Sequence, residues 1–377
     1  MNKPLHVAVV GLGFGAEFVP IYIHHPNVRK VTICDLHPER IENAVNHFGE
    51  VPSTTRFDDI LNDPDIDAIH LITSIPEHAK QTIAALNAGK HCACTVPMAT
   101  SLDDLHQIVE AQNRNSKIYM MMETTVYDRT FLYVKELMKQ GVFSKIQMLR
   151  GAHYQDMENW PPYWFGLPPM WYATHAVAPL MALAGTRAEK VQCFGSGVMR
   201  QELHEQYGNP YPIETALVKF KNRPFVAEVT RALFNCARAY TECFNVYGED
   251  VCFEWQQLDS ENPVLFHLSP LGQGTSPRQT TQERITPPDR ADLLPPEIGR
   301  FTRHGVYDEK NPHASFMHGG GHGGSHPHMV HEFVRACIED RPSSIDAVTA
   351  ANWTAVGICA HESAMNDGKE IKLPVFG

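Results

Sequence analysis

VAVVGLGFGAEFVPIYIHHPNVRKVTICD, residues 7–35, decides the fold of this chain. Four apolar residues, Val7 to Val10, run straight into Gly11-x-Gly13-x-x-Ala16. An apolar segment follows, and a β-branched run, Val31 to Ile33, ends on Asp35. The order is strand, glycine turn, helix, second strand. Gly11 permits the tight turn, Gly13 lets the backbone come close to a pyrophosphate, and Ala16 allows close packing of helix on sheet. The helix start, reached through Phe14 and Gly15, presents unpaired N–H groups and a positive dipole end to phosphate. Asp35 is placed to accept hydrogen bonds from an adenosine ribose 2′-hydroxyl, and its charge would repel a 2′-phosphate. The expected cofactor is therefore NAD.

The alternation continues outward. Helical spacing over Pro38–Phe48 closes at Gly49, Phe57–Leu61 reads as a short helix, and Ala68–Thr73 reads as an apolar strand. A helix then runs to Gly89, followed by the strand His91–Cys94, a helix over Leu102–Asn113 and the strand Ile118–Met122. Such a pattern implies a parallel sheet that binds ligands at the carboxyl ends of its strands. Thr73, Pro76, His78, Thr95, Pro97 and Glu123 stand at or just past those ends. Cys92 and Cys94 share one strand face and read as structural. Beyond Gly185 the pattern changes to strands joined by turns: Val191–Ser196, Glu214–Phe220, Phe225–Leu233, Tyr240–Gly248 and Val251–Gln256. Helices over Thr130–Gln140 and Ala176–Ala184, and the C-terminal helices, are available to cover one face. The expected fold is α/β: an N-terminal Rossmann domain, residues 1–123, and a C-terminal α+β domain, residues 124–377, with an open, mostly antiparallel sheet. Glu261–Asn311, proline-rich and weakly periodic, reads as a long loop. Ser344–Asn366 reads as a helix with Trp353, Val356, Cys359 and Ala360 inward.

A chain of 377 residues exceeds what one core usually supports, in line with two domains. Its 43 acidic residues outnumber its 32 basic ones, for a formal charge of -11. With no Lys/Arg block to displace counterions, nucleic acid is not an expected partner. The opening MNKPLHVAVV enters the first strand without room for a leader, and no apolar run is long enough for a bilayer. Nine scattered cysteines suit reduced thiols, so a cytoplasmic location is expected.

Several strings resemble the Gfo/Idh/MocA family of NAD(P)-dependent sugar oxidoreductases: Gly11-Leu-Gly-Phe-Gly-Ala16, Thr73 to His78, Ala85-x-x-Ala-Gly-Lys-His91 and Pro97-Met-Ala99. The resemblance implies a substrate domain with an open sheet and a homodimer or homotetramer. One departure stands out. Where dehydrogenases of the family carry Glu-Lys-Pro, this chain has Thr95-Val96-Pro97, and valine can neither donate a hydrogen bond nor exchange a proton. The branch of NAD-dependent glycoside hydrolases also carries Val-Pro there. Met120 to Tyr127 is similar to its Met-Met-Glu-Asn-x-x-Tyr, and Tyr172-Ala-Thr-His175-Ala-Val-Ala-Pro179 resembles its Tyr-Pro-Thr-His-Gly-Leu-Gly-Pro. Gly151 to Asp156 is similar to its Tyr-x-His-Asp strand with His and Tyr in another order, and Gly321-His-Gly-Gly324 matches its Gly-His-Gly-Gly.

That likeness implies a redox-neutral hydrolysis: transient oxidation at sugar C3, loss of the C2 proton and of the aglycone, hydration, and return of the hydride. His175 is then the expected base for the C3 hydroxyl. Tyr154 is the expected base at C2 if neighbouring charge lowers its pKa. Glu123 orients substrate or nicotinamide, and Asp156 holds His153 or a sugar hydroxyl. Tyr172, His322 and His326 are expected substrate contacts. A net sugar dehydrogenase and a non-catalytic NAD-binding regulator are the alternatives. His313–Glu332 holds six histidines, but carboxylates and cysteines of a typical metal site are missing nearby. No metal is expected; the stretch reads as a glycine loop lining the sugar site, with Ser325 capping a helix that begins near Pro327.

Overall fold

The computed structural model describes residues 3–160, 166–272, 277–303, 305–306, 316–317 and 322–377. Gly321, His313 and His318 lie outside the described residues. The chain forms two compact units. One comprises residues 1–128, 289–354 and 375–377; the other comprises 129–288 and 355–374. The division expected near residue 123 is thus discontinuous: the helix Ser325–Glu339 belongs with the nucleotide-type sheet. The reason is burial. Its Met329, Val330, Phe333 and Val334 share one apolar cluster with Val7, Val9, Phe18 and Ile21.

In the first unit the strands are β1 Leu5–Val10, β2 Val28–Cys34, β3 Ser53–Thr54, β4 Ala68–Leu71, β5 His91–Thr95 and β6 Tyr119–Met122. They form one parallel sheet in the order β3-β2-β1-β4-β5-β6. β1, β4 and β6 are buried along their whole length, as continuous apolar runs in a doubly covered sheet should be. The first helix departs from expectation. It begins as a 3-10 turn, Gly15–Phe18, and continues only over Val19–His24, with Pro20 in its first turn. Gly15 is buried, and a Cβ there would lie 3.2 Å from the Ile72 side chain. Close packing therefore falls to Gly15, and Ala16 is half-buried. Ser325 is likewise the first residue of its helix; the cap position is Gly324 in the left-handed conformation.

In the second unit the strands are β7 Ile146–Tyr154, β8 Ala188–Ser196, β9 Ile213–Phe220, β10 Val226–Ala232, β11 Thr241–Gly248, β12 Val251–Glu254, β13 Val264–Leu268 and β14 Thr280–Arg284. The order is β14-β13-β12-β11-β7-β10-β9-β8, with Ile371–Lys372 beside β8. β7 and β10 pair in parallel and every other pairing is antiparallel. β13 and β14 correct the loop expected over 261–311: this segment extends the sheet by a hairpin. β14 is exposed throughout, so apolar patterning gave no sign of it.

One helix, Thr174–Ala184, packs on the centre of this sheet with nearly every residue buried. It sits against β7 because Gly151 has no side chain; a Cβ there would lie 2.2 Å from the carbonyl oxygen of Ala176. All nine cysteines are free thiols. No described helix is long and apolar enough to cross a membrane. Gly151→Ala should lift this helix off the sheet and cost about 1–3 kcal/mol, read as a lower denaturation midpoint of the full chain; an unchanged midpoint contradicts that packing.

Candidate functional site

In the first unit the glycine turn has the geometry a dinucleotide needs. Gly11 has φ +92°, and a Cβ there would lie 2.1 Å from the Ile72 carbonyl oxygen, so only glycine fits. Gly13 is exposed and a Cβ would meet only the Arg40 guanidinium, at 3.6 Å, which leaves its backbone open to approach. Phe14 is exposed beside it. Asp35 is buried at the end of β2. Its Oδ2 accepts the Leu12 N–H at 2.7 Å and its Oδ1 the His37 N–H at 2.9 Å, while Arg40 lies 3.4 Å away. The carboxylate therefore braces the glycine turn it faces.

The residues past β4 and β5 meet at His78. This ring is buried, with Nδ1 2.8 Å from the Pro97 carbonyl oxygen and Nε2 3.1 Å from that of Thr73. Carbonyls only accept, so both bonds form only when the ring is an imidazolium. Burial opposes that charge, but Cys94 and the two carbonyls outweigh it and hold His78 at about 9. The Thr95 hydroxyl donates to Leu71 O at 3.3 Å, and the Thr73 hydroxyl to Gln81 at 2.6 Å. Pro76 lies in the 3-10 turn that leads into His78. Val96 is buried, and the Val96–Pro97 peptide is cis. Glu123 is fully buried, and its Oε1 accepts the Thr125 N–H at 3.0 Å and the Thr125 hydroxyl at 2.9 Å. His326 is also fully buried, its ring 4.5 Å from Phe18 and its Nδ1 3.5 Å from Glu17. It packs inside the unit, contrary to its expected place as an open sugar contact. His322 is half-buried, its ring 5.6 Å from Phe14.

The second unit carries the denser constellation. Four adjacent strands place a polar residue in one cross-strand row: Glu242 of β11 pairs with His153 of β7, His153 with Arg231 of β10, and Arg231 with Glu214 of β9. All four are buried on the face covered by the helix Thr174–Ala184. That helix adds His175, whose Nε2 lies 3.6 Å from Glu242 Oε1 and whose ring centre lies 5.1 Å from that of His153. The Tyr172 hydroxyl is 3.4 Å from the same His175 nitrogen, and the Tyr240 hydroxyl donates to Glu242.

Arg231 is the hub. Its Nε donates to Tyr172 O at 2.8 Å, its Nη1 to the carbonyls of His153 and Ala232 at 3.2 and 2.5 Å, and its Nη2 to Gln155 at 3.0 Å. Burial lowers it only to about 10, so it stays charged at neutral pH. From β9, Glu214 accepts the Met170 N–H at 2.9 Å and pairs with His361 at 2.7 Å. Two residues paired across neighbouring strands thus grip the turn Pro169–Tyr172, one by an N–H and one by a carbonyl, just before His175.

The sequence expectations divide here. His175 and Tyr172 come together. Tyr154 does not join them: it follows His153 on β7 and so faces the other side of the sheet. There burial and Cys243 raise its pKa against the pull of Arg150, which corrects the lowering expected for a base. Asp156 is exposed and accepts the Glu158 N–H at 3.0 Å, a local turn. Glu242, Arg231, Glu214 and Tyr240 were missed. A signal existed: each charged residue continues an inward apolar series, Ala227-Val229-Arg231, Phe220-Val218-Ala216-Glu214 and Val246-Phe244-Glu242.

Fold and site define an NAD-dependent enzyme. Residues 5–123 match the Gfo/Idh/MocA oxidoreductase family, described by its NAD-binding Rossmann fold. Over its length the chain is similar to glycosyl hydrolase family 109 protein 1 of Bacteroides fragilis (strain YCH46), at 25% identity covering 99% of this chain and 85% of that protein. A family 109 protein of Shewanella sp. (strain W3-18-1) is 23% identical with the same coverage. The fold is shared with levoglucosan dehydrogenase in complex with NADH and levoglucosan, at TM-score 0.75, 20% identity and coverage of 98% and 99% of the two chains. It is shared also with myo-inositol 2-dehydrogenase from Lactobacillus plantarum, at TM-score 0.73, 18% identity and coverage of 99% and 100%.

Two outcomes are expected. Arg231→Met leaves the carbonyl oxygens of Tyr172, His153 and Ala232 and the Gln155 amide oxygen without their donor and should cost about 1–3 kcal/mol; Arg231→Lys should recover little, since three donors replace five. Denaturant midpoints check both. For His78 the folded pKa of about 9 lies above the ordinary 6.5, so its contribution is complete below pH 6.5 and is lost as pH rises through about 9. The thermal midpoint should decline over that window, and the decline should flatten in His78→Gln; a variant with the wild-type slope contradicts the assignment.

Proposed function

We propose that this enzyme hydrolyses a glycoside by a redox-neutral route, with the first unit holding NAD and the second supplying the proton chemistry. The observation that carries the reading is the buried His175–Glu242 pair with two tyrosine hydroxyls on it, in a chain whose family lysine is Val96. Gly11, Gly13, Phe14, Gly15, Ala16 and Asp35 would hold the adenosine and pyrophosphate portion, and Thr73, Pro76, His78, Thr95, Pro97 and Glu123 the nicotinamide end. NAD, when bound, accepts a hydride from the sugar and returns it, so no net oxidation occurs.

The protein's part is to move protons. His175 takes the proton of the sugar hydroxyl at Nε2 and is steadied as an imidazolium by Glu242, whose own orientation is set by Tyr240. Tyr172 replaces Tyr154 as the proposed base for the neighbouring C–H, because its hydroxyl shares the His175 imidazole and its ring lies 5.3 Å from the Arg231 guanidinium. Arg231 and Glu214 act as positioning residues that fix the turn from Met170 to Tyr172. Among the substrate contacts first expected, Tyr172 and His322 are retained. The outward face of the second sheet, where Phe194 and Leu217 are more than half exposed, is the surface proposed for homo-oligomerisation.

A second reading, net sugar dehydrogenation, is favoured by the fold shared with sugar dehydrogenases. One assay separates them. Aglycone release from aryl glycosides that requires added NAD without accumulating NADH supports hydrolysis, whereas stoichiometric NADH from free sugars supports dehydrogenation. His175→Ala should lower turnover by about 10²–10⁴-fold, the range of a lost general base, with NAD affinity retained. Full turnover in that variant removes His175 from the mechanism.

A further inference from the structure

The strands and helix that bring His153, His175 and Glu242 together create a ligand set that no single stretch of sequence contains. One side-chain donor atom from each lies within 4.8 Å of the other two, and all three residues are buried. We propose that this trio is a binding site for one divalent cation of the zinc class, held by two imidazoles and one carboxylate with a fourth coordination position open.

The donor chemistry fits. Two histidines and a glutamate are the ligands of one common kind of catalytic zinc site, and imidazole with carboxylate also suits cobalt and nickel. Tetrahedral coordination with bonds of about 2.1 Å spaces the donor atoms about 3.4 Å apart. The His175–Glu242 separation of 3.6 Å is already close to that, and His153, whose donor atom lies within 4.8 Å of both, reaches that spacing by a side-chain movement of at most about 1.4 Å. The supports expected behind such ligands are in place. The Tyr240 hydroxyl donates to Glu242, and Arg231 ties the backbone carbonyls of His153 and of Tyr172, three residues before His175. A guanidinium this near partly offsets the carboxylate charge, which favours a modest affinity.

Ligation changes the role of His175. Its Nε2 lone pair binds the cation, and a hydroxyl at the open position is then acidified by the metal, the task otherwise left to the imidazole. The inference goes beyond the reading above and does not depend on it, because the readout is the cation itself.

The test uses the full chain after chelator treatment, titrated with Co(II) and followed by visible absorption and by elemental analysis after desalting, with Zn(II) as competitor. The expected result is one equivalent of Co(II) with the intense absorption of tetrahedral coordination, displaced by Zn(II). Glu242→Gln and His153→Asn should each bind at least about tenfold more weakly while keeping wild-type circular dichroism. If either variant fails to fold, Tyr240→Phe is read in its place, with a loss of about tenfold expected. A folded wild-type chain that takes up no stoichiometric cation overturns the proposal. So does uptake undiminished in the variants, which would move the ion elsewhere. Glycoside turnover is read in the cation-free chain, where His175 Nε2 is unligated: its presence there supports the preceding reading and its absence counts against that reading, while cation uptake alone decides this proposal.

Discussion

Arg231 is the interaction on which the second unit depends. A guanidinium with no solvent exposure is costly to bury and is tolerated only when its donors are satisfied and its charge is met. Here four carbonyl-type oxygens take its N–H groups, and the row it stands in has a carboxylate at each end: Glu242, His153, Arg231, Glu214. Each member restrains a different piece of backbone. The row therefore acts as a template that fixes the end of the sheet, the turn Pro169–Tyr172 and the start of the helix carrying His175. The chemistry proposed at that helix needs a defined geometry, and side chains on strands hold geometry better than side chains on loops.

The first unit is organised by a different device. Backbone groups at the carboxyl ends of its strands would point into solvent unless buried side chains receive or offer bonds to them. Asp35 receives two such N–H groups and His78 offers bonds to two carbonyls. Residues that read as ligand contacts in the sequence are thus also the braces of the surface a ligand would meet. The two tasks agree, since a cradle that reorganised on binding would forfeit affinity.

Where expectation and structure part, the cause is physical. Ser325 has the chemistry of a cap, yet Gly324 takes the capping position because its left-handed backbone sits 2.4 Å, at the Cβ position, from the Thr302 carbonyl oxygen. The hairpin β13–β14 was hidden because an edge strand exposed on both sides carries no alternation to read. Tyr154 was expected beside His175 because the family likeness implied a second base there, whereas successive strand residues face opposite ways and it is His153 whose ring lies near His175. His326 looked available because a glycine-rich context suggests a loop, but its helix begins one residue earlier and turns the ring into Phe18.

By itself the sequence determined the nucleotide-binding architecture, the change to an antiparallel sheet after Gly185 and the place of His175 at a helix start. Those features rest on local order: a glycine turn between strand and helix, alternation of period two, a histidine at a helix start. The tertiary structure alone decided which groups surround that histidine. Glu242, His153, Arg231 and Glu214 are brought together by strand register, a relation among segments far apart in the chain, and a charge joins such a row only when folding has already set the neighbours that make its burial bearable.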